Sequence, residues 1–288
     1  VTDMVQAFTV GAHSHEADDP EGLRRLVDAR LDAAPSRGGF WLWEDGAPLR
    51  PFPDARTRRL HALRNMGVLL SVILFADVVV GTWILGVGYR LLDTPTGLLA
   101  PLALPVTAQI AIAFLVTDLF EYWLHRLAHT WRPLWLIHAV HHSDPHVDVT
   151  TGARNHPLET AIAITGRVGI YLALGLPLWI ELVRVIVVNS AFLAQHANVA
   201  FPRAIEALRV VFVTPAVHRQ HHSPVPPLID RNFGQMFSFW DRMFGTYAEP
   251  GAPAPPEYGL RKLAGERWQT VAGILLTPLR ARSIPGPL

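Results

Sequence analysis

The chain has 288 residues, half of them hydrophobic and only 17% charged, with a formal net charge of +1 and a mean hydropathy of +0.23. This is too apolar for an average soluble globule and points to an integral membrane protein, and so small a net charge gives no electrostatic case for nucleic acid. Cysteine is absent, which excludes disulfides, thiolate haem, four-cysteine iron–sulfur clusters and thiol nucleophiles.

The first twenty or so residues lack the apolar core of a secretory leader and read as a mobile tail with nothing to direct export. Asp19-Pro20-Glu21 is a cap, a first-turn proline and an acidic first turn, predicting a short amphipathic helix to about Leu31. Ser36-Arg37-Gly38-Gly39 breaks it, and Phe40-Trp41-Leu42-Trp43 is too short to span, so it reads as an interfacial or core-packing segment. From Gly67 to Gly88 the sequence is nearly all apolar apart from Asp77. About twenty such residues cross a hydrocarbon core, so this is the first span. A second runs from about Leu98 to Thr117 and continues in helical pattern through Asp118, Glu121, His125 and His129. Leu158–Leu176 and Leu178–Leu193 are separated by Pro177 and read as a tight helical hairpin, spanning or re-entrant. A polar and aromatic region follows to Tyr247, then a Pro-rich linker from Pro250 to Pro256. The apolar segment around Trp268–Leu276 reads as a surface helix.

Arg56, Arg58, Arg59 and Arg64 precede the first span, and Arg126 and Arg132 follow the second, with Tyr122, Trp123, Trp131 and Trp135 at interface positions. Basic flanks favour the cytoplasmic side, which predicts a cytoplasmic location for both termini and for the histidine clusters. The expected fold is all-α: an integral membrane protein with about four transmembrane or re-entrant helices, capped by a cytoplasmic, helical, histidine-rich metal-binding region. Three parts are expected: an N-terminal cytoplasmic segment (1–60), partly flexible; a membrane-embedded domain (61–249); and a Pro-rich linker with an amphipathic tail (250–288).

Eleven of the fourteen histidines fall between His125 and His222. Eight form three clusters: His125/His129, His138/His141/His142 and His218/His221/His222. Helical residues three or four apart share a face, so each cluster can aim two or three imidazoles at a common point. Eight ligands exceed what one ion needs, and two metals are the simpler reading. Asp118 and Glu121, upstream of His125, are candidates to accept the second ring N–H of a ligand or are solvated helix-end residues. His156 and His196 bracket the hairpin and are either packed, hydrogen-bonded residues or ligands. His13, His15, His61 and His146 receive no ligand role.

The ordered set HRLAH, HAVHHSD, RNHPLE, QHANV and TPAVHRQHHS, followed by NFGQMFSFWDRMFGTY, resembles the fatty acid hydroxylase superfamily, which includes sterol desaturases, methyl sterol oxidases and alkylglycerol monooxygenase. The similarity covers about Leu98 to Tyr247. The resemblance implies a non-haem di-iron site in which His125, His129, His138, His141, His142, His218, His221 and His222 are ligands, joined by His156 and His196. It implies O2 as cosubstrate, with zinc as a substitute ion in purified protein. It also implies a lipid substrate (sterol-like, fatty acyl or alkyl) that is hydroxylated or desaturated, and electrons from a separate ferredoxin or cytochrome b5 type donor with its reductase. Asn232, Trp240, Asp241 and Tyr247 fall in the matching segment, where packing is the better reading. Two competing functions are a zinc-dependent membrane hydrolase or lyase working without redox chemistry, and a non-catalytic metal-binding or transport protein.

Overall fold

A computed structural model describes residues 39–83, 96–252, 254–255 and 257–281. The tail, the helix expected to about Leu31, His13, His15 and the far end of the first span lie outside the described residues. Within them the protein is helical, with isolated bridges at Pro48–Val199 and Phe212–Phe237 and no strand.

Three described helices are long and apolar enough to cross a membrane: Ala55–Thr82, Val106–Thr130 and Leu178–His196. The first lies within α2 (Ala55–Trp83), which follows the short α1 (Phe40–Gly46). The lower half of α2 turns polar residues inward, with Arg58, His61 and Asn65 all buried, while its upper half exposes Leu70, Leu74 and Val78. That division is expected of a helix whose one end packs on protein and whose other end faces lipid. In α1, Trp43 lies 5.3 Å from Phe201, so this segment is core-packing.

The second span starts later than the hydropathy predicts. Pro101 falls in a 3-10 turn and Pro105 caps α3 (Val106–Thr130), because proline lacks the N–H that a helix interior needs. As the periodicity indicates, α3 carries on through His125 and His129. Trp131 interrupts it, and α4 (Arg132–His142) folds back with Pro133 in its first turn.

The hairpin forms as α5 (Pro157–Leu174) and α6 (Leu178–His196). Between them Gly175 takes φ 73° and closes the helix, with its N–H and that of Leu176 both donating to Tyr171 O at 2.9 Å. This left-handed C-terminal turn favours glycine, which has no Cβ to clash. Of the two arms only α6 is among the three helices long and apolar enough to cross a membrane; α5 is the fourth long helix.

After the hairpin come α7 (Arg203–Ala207), α8 (Pro215–His221) and α9 (Phe239–Met243), then α10 (Glu266–Gln269), α11 (Val271–Leu275) and α12 (Thr277–Arg280). The last three correct the expected surface helix. Ile274 is fully buried in a cluster with Val68 of α2 and Val140 of α4, and Leu263 and Ala281 join Trp135 in another. Apolar residues that looked like one face of a lone helix are used to cover the back of α4.

Candidate metal centre

Nine of the ten predicted histidines converge, in two adjacent groups. Ligand atoms of His125, His129, His138, His142 and His221 lie within 4.8 Å of one another, and so do those of His141, His196, His218 and His222. The two HxxHH repeats are not used in the same way. α4 gives His138 and His142 to the first group and His141 to the second. α8 and its cap give His221 to the first and His218 and His222 to the second. Residues four apart on a helix nearly eclipse, whereas consecutive ones stand about 100° apart, so each repeat straddles two centres. His142 and His222 meet where the groups adjoin, with ring centroids 4.8 Å apart.

The ring tautomers follow from their partners. A carbonyl oxygen only accepts, so His125 Nδ1 donates to Phe233 O (2.8 Å), His221 Nδ1 to Arg231 O and His196 Nδ1 to Phe192 O (both 2.7 Å). His138 Nδ1 donates to Glu159 Oε1 at 2.7 Å, and His129 Nδ1 faces Asp230 Oδ1 at 3.3 Å. Each of these rings therefore turns a bare Nε2 lone pair inward. His125 and His138 oppose their Nε2 atoms at 3.1 Å, and His196 Nε2 is 3.0–3.1 Å from those of His141, His218 and His222. Facing lone pairs repel, and one acceptor cannot serve three neighbours. Two nitrogens about 2.0–2.1 Å from a shared ion stand roughly 2.9–3.4 Å apart in octahedral or tetrahedral geometry. The observed separations fit nitrogens that could share an ion.

Five of these imidazoles are biased toward the neutral form that ligation requires. Burial, reinforced by neighbouring histidines, holds His141, His142, His218 and His222 well below the ordinary imidazole value and brings His221 to about 3. Buried Nε2 atoms of His129 and His221 have no protein partner.

His156 does not join either group. It caps α5, its Nδ1 accepting from Leu158 N at 3.2 Å and its Nε2 donating to Leu275 O at 3.1 Å, which engages both ring nitrogens. Nor do Asp118 and Glu121 orient a ligand. Asp118 accepts from Met236 N, Phe237 N and Trp240 Nε1, and Glu121 is held by Arg167 and Arg184. The carboxylates that do so are Glu159 and Asp230. Glu159 stands inside the RNHPLE motif, where the histidine drew the attention, while Asp230 had no sequence signal.

The segment after α8 acts as a frame. Asp241 accepts from Phe233 N, Gly234 N and Thr246 Oγ1, and Asn232 donates from Nδ2 to Val217 O and Ala248 O while its Oδ1 accepts from Ala248 N. This fixes the carbonyls of Arg231 and Phe233 against His221 and His125. Asn232, Trp240 and Asp241 thus support the fold, and Tyr247 donates to Glu249. His61 lies outside both groups, with its Nε2 facing Asp144 Oδ1 at 2.8 Å. Burial raises the Asp144 carboxyl, but the facing His61 ring and the Arg154 guanidinium hold it well below the usual carboxylate range.

A cavity of about 830 Å³ opens on both groups, reaching His125 and His138 of the first and His141 and His218 of the second. Its other walls come mainly from apolar residues of α2, α5 and α6.

Residues 110–246, which hold every residue of both groups, match the family model described as fatty acid hydroxylase. Over this segment the chain is similar to fatty acid hydroxylases. Its relatives include an ornithine lipid hydroxylase of Rhizobium tropici, 33% identical over 157 residues (54% of this chain, 46% of that one). An alkylglycerol monooxygenase of Danio rerio is 31% identical over 137 residues (48% and 30%), and a sphingolipid C4-hydroxylase of Schizosaccharomyces pombe 34% over 154 residues (52% and 51%). The chain thus spans about half or less of the length of these curated relatives. No solved structure matches. The matched segment ends at Thr246, so the later helices that cover the back of α4 support the site from outside it.

Proposed function

We propose that the protein is an integral membrane, O2-dependent oxidoreductase that hydroxylates or desaturates a lipid at a pair of iron ions. The observation that carries this reading is the juxtaposition of two all-imidazole groups, with lone pairs turned inward, at the end of one apolar cavity walled by membrane-length helices. His125, His129, His138, His142 and His221 would hold one ion, and His141, His196, His218 and His222 the other. With electrons supplied from outside, such a pair activates O2 for attack on an unactivated C–H bond.

The chain's own residues do the rest. Glu159 and Asp230 hold His138 and His129 in the tautomer that presents Nε2, as the backbone does for His125, His196 and His221. Apolar walls of α5 and α6 admit an acyl or alkyl chain sideways from the leaflet and exclude water. The choice between alcohol and alkene rests on where the cavity places the substrate carbon. A ferredoxin or cytochrome b5 type protein is the donor we assign, since a cysteine-free sequence has no thiolate cluster of its own. Exposed Arg56 and Arg59 at the start of α2 support our assignment of the centre to the cytoplasmic side. We assign the oxygenase unit to residues 61–249, onto which 39–60 and 257–281 pack.

Metal analysis of the purified chain, with lipid extracts compared between cells carrying and lacking the gene, tests this. The expected results are about two irons per chain and a lipid gaining one oxygen or losing two hydrogens only when O2 is present. His141→Ala and His221→Ala, one from each group, abolish that product and lower iron content while the protein stays in the membrane. Full anaerobic turnover with zinc would overturn the reading.

A further inference from the structure

Four charged side chains meet inside the helix bundle, on the cavity wall: Glu121 of α3, Arg167 of α5, and Glu181 and Arg184 of α6. Arg167 donates from Nε to Glu181 (2.7 Å) and from Nη1 to Glu121 (2.9 Å), and Arg184 donates from Nε to Glu181 (2.8 Å) and from Nη1 to Glu121 (3.0 Å). Arg184 Nη2 also bonds both carboxylates, at 3.1 and 3.3 Å. Apart from Glu159, which is tied to His138, these four are the charged groups among the described residues lining the cavity.

Charges at this depth are costly, and a buried ion pair seldom stabilises a fold better than apolar residues of the same volume. A lattice serving only to join three helices would be no weaker as leucine and methionine. This one instead fronts the space that reaches both histidine groups. Its own bonds use Nε and Nη1 of Arg167 and every nitrogen of Arg184, leaving Arg167 Nη2 as the guanidinium nitrogen they do not use. The two positive and two negative charges already balance, so an anionic ligand would leave a net charge among the spans, while a neutral oxygen acceptor would not.

We propose that Arg167, held by Glu121, Glu181 and Arg184, is the subsite for a neutral acceptor oxygen of the lipid substrate: an ester, amide, ether or hydroxyl. Glu121 precedes His125 by four residues, so the carboxylate that holds Arg167 stands one helical turn from the first histidine group. The carbon presented to the metals then lies a few bonds from that oxygen, and the remaining chain runs along the apolar walls. This rests on the oxygenase reading for what happens to that carbon, but not for the binding itself.

The test begins with binding to the purified full chain under argon, where no O2-dependent turnover occurs, using methyl hexadecanoate, hexadecanoate and n-octadecane as competing probes. The ester is expected to bind about tenfold tighter than the alkane, the value of one hydrogen bond from a charged donor, and tighter than the anion. In Arg167→Met/Glu181→Met, which keeps the charge balanced, the ester-to-alkane ratio falls to about one while the alkane affinity holds. If that variant does not fold, Arg167→Lys serves, because its single ammonium is drawn to the two carboxylates and the ratio drops at least threefold. Equal binding of ester and alkane by the unaltered chain, or tightest binding of the anion, overturns the subsite. With the iron-loaded enzyme and methyl esters of 14 to 18 carbons, the oxidised position is expected to count from the ester oxygen; counting from the methyl end overturns it too. A chain that prefers the ester yet oxidises no lipid upholds the subsite and refutes the oxygenase reading instead.

Discussion

At the residue scale, what separates a ligating histidine from a packed one is the partner of its second nitrogen. His138 gives Nδ1–H to Glu159 and turns Nε2 toward its neighbouring histidines, where it could ligate an ion, whereas His156 uses both nitrogens on backbone groups. Glu159→Gln is therefore expected to weaken metal binding about 10- to 100-fold, because an amide holds the imidazole tautomer less firmly than a carboxylate. Glu121→Gln should leave metal affinity unchanged in the same competition titration, since Glu121 faces two arginines and no histidine. An equal loss in both variants would contradict these assignments. Glu121 was the natural choice from the sequence because it stands one turn from His125. Glu159 follows His138 by 21 residues and reaches it only because α5 packs beside α4.

At the element scale, the helices act as rulers. An i, i+4 pair points at one centre and the residue between points at the other, so α4 and α8 clamp both groups from opposite sides. Their placement depends on the connections, among them the glycine-closed α5–α6 turn. A Cβ at Gly175 would stand 3.1 Å from Gly97 Cα and from Thr96 O, on a backbone at φ 73°. Gly175→Ala is expected to lower stability by about 1–2 kcal/mol, the cost of a left-handed residue with a side chain. Denaturant titration measures that loss, and metal stoichiometry should not change, because the histidines lie at the other ends of these helices. A variant as stable as the parent would mean that the turn is not strained by a methyl group.

At the scale of the whole molecule, a core of nine mutually facing imidazoles ties stability to metal and to pH. In the metal-free protein, His141, His142, His218, His221 and His222 have folded-state values below the ordinary 6.5, His221 at about 3. As pH falls below about 6.5 the unfolded chain takes up protons first, so the stability present above that value is lost on acidification through the folded-state values. Bound metal adds stability in proportion to the logarithm of its concentration over its Kd. Chelation should thus lower Tm at pH 7.5, and the chelated protein should lose Tm steeply from pH 6.5 downwards. A chelated protein whose Tm is flat between pH 6.5 and 4 would contradict the neutral, buried cluster.

The sequence by itself determined the chemistry of the centre and the character of its surroundings. Imidazole is a ligand in any fold, helical spacing is local, and an apolar run of membrane length needs no partner to be recognised. It could not say that each HxxHH straddles two centres, that His156 turns away, or that Glu121 belongs to a charge quartet on the cavity wall. It also left Trp268–Leu276 on the surface, where the fold buries Ile274 against Val68 and Val140. Those outcomes depend on which faces of separate helices meet. They were decided by packing between residues far apart in the chain, which local periodicity does not encode.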